Sequence, residues 1–138
     1  MKEKEAFLKL CNQISKNTLM ETLSIEYIDT GDGFLKAKMP VNKKVYQPMG
    51  LLHGGATVAL AESVGSAASF MYIDPNSQEV RGIEISANHL RSVSSGNVFA
   101  SAKIIHKGRT LHLWDIEVID ANQRLVSKVK LTNIIINK

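Results

Sequence analysis

One cysteine, Cys11, stands among 138 residues. An intrachain disulfide and a metal site built from several thiolates are therefore excluded. Aromatic residues make up 6% of the chain and no dense run of Lys or Arg occurs, so a basic, stacking face for nucleic acid is not expected. The opening Met1-Lys2-Glu3-Lys4-Glu5 carries acidic residues and no apolar segment follows it directly. That argues against a secretory leader, and a reducing, cytoplasmic setting is the expectation. His-Glu-x-x-His, Gly-x-Ser-x-Gly, the P-loop and the dinucleotide glycine fingerprint are all missing, which removes the commonest metalloprotease, serine hydrolase and nucleotide-binding readings. No metal site is expected.

The composition is otherwise that of an ordinary globular domain: 44% hydrophobic, 22% charged, net charge +4. Such a length buries roughly two-thirds of its unfolded surface, enough for a core without staples. We expect one domain over 1–138. The weak positive charge suits an anionic small ligand.

Periodicity gives the element order. Phe7, Leu10, Cys11, Ile14 and Thr18 share a helical face, predicting a helix over about 5–20. Leu23, Ile25 and Tyr27 alternate with polar neighbours, and so do Leu35, Ala37 and Met39. Thr30-Gly31-Asp32-Gly33 between them predicts a hairpin. Residues 41–53 read as a loop. Residues 55–72 lack turn formers and predict a helix. Its length raises a membrane span, but Glu62, Ser63, Gly65, Ser66 and Ser69 fit a helix buried in a protein core better. Four strand-like runs follow, around 83–89, 98–105, 111–119 and 125–136. The short turns between them predict a four-strand antiparallel meander. The fold class is α+β, a curved antiparallel sheet around one long helix, with an N-terminal helix in addition.

Glu62 is the only charged residue between Lys44 and Asp74. Burying a lone carboxylate is costly unless it is paired or hydrogen-bonded. At 100° per residue, Gly55, Val58, Ala59, Gly65, Ser66 and Ser69 fall within about 60° of it. This stripe of small residues has two readings. Either something lies beside the carboxylate, or a second helix packs closely and Glu62 is paired with a Lys or Arg.

The loop before the helix runs Gln47-Pro48-Met49-Gly50-Leu51-Leu52-His53-Gly54-Gly55. A helix N-terminus offers free N–H groups and a favourable dipole to a developing oxyanion. Gly54-Gly55 alone also fits a tight entry into a helix. Glu62 lies two turns on, about 12 Å of rise from Gly54. One helix cannot bring both to one reacting atom, whereas two chains packed antiparallel can.

His53-Gly54-Gly55 with a carboxylate nine residues after the His, Ala61-Glu62-Ser63, and Asn88-His89-Leu90-Arg91-Ser92 together resemble the hotdog-fold acyl-CoA thioesterases. The likeness spans nearly the whole chain and is strongest to the bacterial branch that cleaves aromatic acyl-CoAs. It implies a hotdog fold and hydrolysis of an acyl-CoA thioester to acid and CoA, without a separate cofactor. By position it implies Glu62 as nucleophile or general base and Gly54 N–H as the carbonyl-polarising donor. Gln47 and His53 would orient thioester or water, and Ser66 would help place the water. His89, Arg91, Lys107, Arg109 and Gly82 would contact CoA. The resemblance also implies a homodimer with shared sites, arranged as a dimer of dimers (a homotetramer), and an acyl carrier protein as a possible second partner. No nucleic acid or membrane partner is expected.

Each cation taken alone is equally a solvated surface charge. His106 and His112 read as ordinary strand or turn histidines. Cys11 reads as core, and Trp114 as core or interface. Val64, Ala68, Phe70, Met71 and Tyr72 are candidates for an acyl pocket. Three other functions stand against the thioesterase reading. A hydratase of the same fold is disfavoured by the glycines after His53. A non-catalytic acyl-CoA binder would gain nothing from Glu62. A nucleic-acid binder lacks its aromatics.

Overall fold

The computed structural model describes residues 2–138. In chain order the elements are helices α1 (Lys2–Ile14) and α2 (Leu19–Thr22), strands β1 (Glu26–Gly31) and β2 (Phe34–Pro40), and helix α3 (Gly54–Ser69). Strands β3 (Gln78–His89), β4 (Asn97–Lys107), β5 (Leu111–Ile119) and β6 (Leu125–Asn137) complete the chain. The N-terminal helix is shorter than its apolar spacing predicts. It stops at Ile14, Asn17 takes a left-handed φ of 62°, and Thr18 then caps α2 by accepting from Met20 N–H. Asn is one of the few residues that adopt this conformation readily.

The six strands form one antiparallel sheet in the order β1-β2-β4-β5-β6-β3. The β1–β2 hairpin is as predicted. The four-strand meander is not: β4, β5 and β6 are sequential neighbours, but β3 pairs with β6 at the far edge. The link after β3 cannot close as a hairpin because it is tied elsewhere. Val93 is buried and its carbonyl accepts from Leu52 N–H, while the Gly96 carbonyl accepts from Val41 N–H. The Ser94-Ser95-Gly96-Asn97 turn thus anchors a crossover to the end of β2 and the loop before α3.

Alternation along β2, β4, β5 and β6 turns one face inward. Leu35, Ala37, Met39, Val98, Ala100, Ala102, Trp114, Ile116, Val118 and Leu131 are buried there, and Leu60, Ala61, Val64 and Ala68 of α3 meet them. Truncating one of the larger side chains to Ala would cost about 2–5 kcal/mol. On the outer face, Lys128 bridges Asp115 and Glu117, and Lys130 pairs with Glu84. Exposed pairs of this kind add little. β3 differs from the central strands. It is largely exposed, Ile83 is 55% accessible, and among the described residues its outer edge has no partner strand. A long free edge of this kind is a ready template for pairing. No helix among the described residues is long and apolar enough to cross a membrane.

Candidate functional site

α3 begins where the loop hands its last donors to the helix. His53 is the N-cap, and its Nδ1 accepts from Gly55 N–H at 2.8 Å. That bond requires a lone pair on Nδ1, so in neutral His53 the proton sits on Nε2 and faces away from the cap. Gly54 N–H has no acceptor among the described residues. The backbone here is closely covered: a Cβ on Gly54 would stand 2.9 Å from His89 Nε2. His89 is held in turn by Ser127, whose buried hydroxyl donates to the Asn88 carbonyl at 3.1 Å. With that hydrogen committed, the 2.9 Å contact between His89 Nδ1 and Ser127 Oγ has the histidine donating. Nε2 of neutral His89 is then an acceptor directed at the start of α3.

Gln47, Gly54, Thr57, His89, Arg91 and Ser92 share a cavity of about 340 Å³ with Leu51, Leu52, Leu90 and Val126. It holds donors and one cation, Arg91, but no carboxylate. Glu62 opens onto a different cavity, of about 250 Å³, with Cys11, Ile14, Met20, Tyr27, Ser66, Ala67 and Phe70 among its walls. Within the chain the carboxylate forms no ion pair and no hydrogen bond among the described residues. Gly82 makes room for it, since a Cβ there would lie 2.6 Å from Glu62 Oε2. Ser66 lies one turn beyond Glu62 on the same wall.

Lys107 and Arg109 lie in a third cavity, of about 360 Å³, with Tyr72, Gln78 and His112. Lys107 Nζ stands 4.6 Å over the Tyr72 ring, a cation–π contact. The predicted residues therefore fall into three groups within one chain: Gln47, His53, Gly54, His89 and Arg91; Glu62, Ser66 and Gly82; Lys107 and Arg109. Among the described residues no three His, Cys, Asp or Glu side chains cluster as metal ligands would.

Burial pushes the Cys11 thiol up to about 11, and burial together with the nearby Cys11 raises the Tyr27 phenol. Both stay neutral at physiological pH, and Glu62 is the one carboxyl group lining the cavity. Trp114 is fully buried, hence core. Of the candidate acyl-pocket residues, Phe70 lines the Glu62 cavity and Tyr72 the Lys107 cavity, while Val64 and Ala68 are core. The contribution of α1 and α2 to that cavity escaped the sequence reading. The apolar face of α1 was legible, but not what it covers.

The chain matches the Thioesterase superfamily over residues 49–127. It is similar to the 1,4-dihydroxy-2-naphthoyl-CoA hydrolase of Escherichia coli (strain K12), 40% identical over 129 residues, 94% of each chain. It is also similar to the proofreading thioesterase EntH of Cronobacter turicensis, 45% identical over 117 residues, 85% of each chain. Among solved structures, a mutant of thioesterase PA1618 from Pseudomonas aeruginosa superposes with a TM-score of 0.93 at 40% identity. That match covers 95% of this chain and 94% of the other.

Proposed function

This chain belongs to the Thioesterase superfamily and has its hotdog fold, and from that premise we propose that it hydrolyses the thioester of an acyl-CoA with an aromatic or similarly bulky acyl group. The observation that carries the reading is Glu62: an unpaired carboxylate in a cavity walled mainly by apolar side chains. A thioester carbonyl is already electrophilic. A carboxylate can attack it directly or take a proton from the attacking water. The carbonyl oxygen needs N–H donors as its charge grows, and the free Gly54 N–H with its helix dipole supplies them.

The two halves of this chemistry lie in separate cavities of one chain. The site is therefore completed by a second copy, docked along the free edge of β3, so that Gly54 of one protomer faces Glu62 of the other. His89 and Arg91 lie beside Gly54 in this scheme, and Lys107 and Arg109 supply further positive charge for the CoA phosphates. The similarity to a 1,4-dihydroxy-2-naphthoyl-CoA hydrolase supports an aromatic acyl group. An acyl group on a carrier protein would meet the same catalytic residues.

The test is release of free thiol from a panel of acyl-CoAs and the matching carrier-protein thioesters. Benzoyl-type substrates are expected to exceed straight-chain ones of similar size by at least tenfold in kcat/KM, because a shaped apolar pocket discriminates on that scale. A flat profile would remove the aromatic assignment. No thiol release from any member would remove the enzyme reading.

A further inference from the structure

Asn133 is a polar residue on the inner side of β6, between the buried Leu131 and Ile135. It is fully buried. Its Nδ2 donates to the Gly65 carbonyl at 3.1 Å and to Ser69 Oγ at 2.9 Å. A carbonyl only accepts, so the orientation of the amide is fixed. Trp114 Nε1 donates to the same hydroxyl at 2.8 Å. With both lone pairs of Ser69 Oγ engaged, its own hydrogen goes to His112 Nδ1, 2.9 Å away. Every donor and acceptor around Ser69 is then assigned.

One atom of the network is left over. Asn133 Oδ1 is buried and has no donor, an arrangement that costs free energy and calls for a reason. Asn133 pairs with Gly82 across the β3–β6 ladder, next to the bulge between Gly82 and Glu84. The point where a Cβ on Gly82 would stand is 2.6 Å from Glu62 Oε2 and 3.6 Å from Asn133 Oδ1. Two acceptor oxygens thus border one gap, and neither brings a hydrogen.

We propose that Asn133 Oδ1 is the acceptor for the Glu62 carboxyl in the step where that carboxyl carries a proton, so that Asn133 is a positioning residue and Glu62 a general base. The inference rests on the reading of Glu62 given above. In the reaction, water loses one hydrogen to Glu62 as its oxygen bonds to the thioester carbon. The protonated carboxyl then donates to Asn133 Oδ1, which holds it in one orientation. When the C–S bond breaks, the thiolate takes that proton, and acid and thiol leave with Glu62 ionised again. The other titratable groups facing this gap do not interfere. Cys11 and Tyr27 stay neutral. Arg81 and Glu84, flanking Gly82, pair with Glu79 and Lys130. His112 stands beyond Ser69 at the far end of the network.

Glu62→Gln tests this apart from activity, because the new amide places a donor in the gap. Thermal unfolding of the full-length wild type, Glu62→Gln, Asn133→Ala and the double variant forms a cycle. Glu62→Gln is expected to raise Tm by about 2–5 °C, the scale of one added buried hydrogen bond, and to give no rise in the Asn133→Ala background. Equal shifts in both backgrounds, or none in either, overturn the proposal. Should Asn133→Ala fail to fold, the crystal structure of Glu62→Gln decides. The substituted amide nitrogen is expected within about 3.2 Å of Asn133 Oδ1, and a nitrogen turned elsewhere overturns it. Asn133→Ala alone is expected to lower kcat about tenfold with KM little changed, the mark of lost positioning. Glu62→Gln retaining full turnover would overturn the reading of Glu62 and the positioning role with it. Lost turnover without the coupling overturns Asn133 alone.

Discussion

The two ends of the first half of α3 are built oppositely. At its start, Gly54 offers a bare N–H among Gln47, His89, Arg91 and Ser92, in a cavity rich in polar atoms and with one cation, Arg91. Two turns on, Glu62 sits in a cavity of Ile14, Met20, Ala67 and Phe70, where it is the one carboxyl group. The first end can stabilise an oxyanion and hold phosphate but has no carboxylate. The second has a base and an apolar pocket but no free N–H donor. Neither end alone does hydrolysis, and a rigid helix keeps them apart. On the reading proposed above, the unit of function is a pair of chains, made along the free edge of β3.

Removing the base is expected to have the largest effect. Glu62→Gln should lower kcat by about two to four powers of ten, read as initial rates of thiol release, with the circular dichroism spectrum unchanged. Near-normal turnover would end the mechanism. The two-chain claim is broken or upheld by mixing. Gln47→Ala damages the polar end and Glu62→Gln the apolar end. If the variants are unfolded and refolded together, half the dimers carry one intact site, so about a quarter of wild-type activity returns. No recovery from a verified heterodimer would place both ends in one chain.

Gly82 sharpens the comparison from the apolar side. Its missing side chain is the space that Glu62 Oε2 occupies. Gly82→Ala pushes the carboxylate aside, and a misplacement near 1 Å is worth up to about a hundredfold. We expect kcat down about tenfold to a hundredfold with KM within threefold. A loss confined to KM would instead assign Gly82 to substrate binding.

The sequence made α3, the β1–β2 hairpin and both ends of the site legible because each left a local mark: helical or alternating spacing, a glycine pair after His53, a lone carboxylate. What escaped it is non-local. The spacing of β3 and β4 is that of a hairpin. Only the buried Val93 and its bond to Leu52 N–H show that the chain crosses over. α1 carries an apolar face in the sequence, but its role as a wall over Glu62 depends on where the sheet curves. Asn133 did leave a mark, a polar residue at an inward position of β6, although its partners Gly65, Ser69 and Gly82 lie tens of residues away along the chain.

At the polar end, Arg91 is exposed beside the Gly54 cavity. A contact to a substrate phosphate there contributes uniform binding. Arg91→Ala is expected to raise KM about threefold to tenfold with kcat nearly unchanged, an effect that shrinks as salt rises. It should vanish on a short thioester lacking the nucleotide. An equal loss on that truncated substrate would move Arg91 from the phosphates to the reacting centre.

The smallest effect concerns His112, beside Ser69 at the last turn of α3. Burial first, then the charges of Lys107 and His106, hold its proton affinity below that of an ordinary histidine. Ser69 reinforces this, because its only hydrogen is donated to His112 Nδ1 and its lone pairs are taken by Trp114 and Asn133. Protonating His112 would set N–H against O–H. The folded chain therefore binds this proton less readily than the unfolded one. The contribution to stability is whole above the ordinary histidine value near 6.5 and is lost as pH falls through that value toward the lower, folded one. Between pH 7.5 and 5.5, wild-type Tm is expected to fall more steeply than that of His112→Asn, by about 1–2 °C over the interval. The other histidines and the carboxylates are common to both proteins and cancel in the difference. Parallel slopes would mean that His112 takes up its proton without disturbing Ser69, and the orientation assigned to that hydroxyl would be wrong.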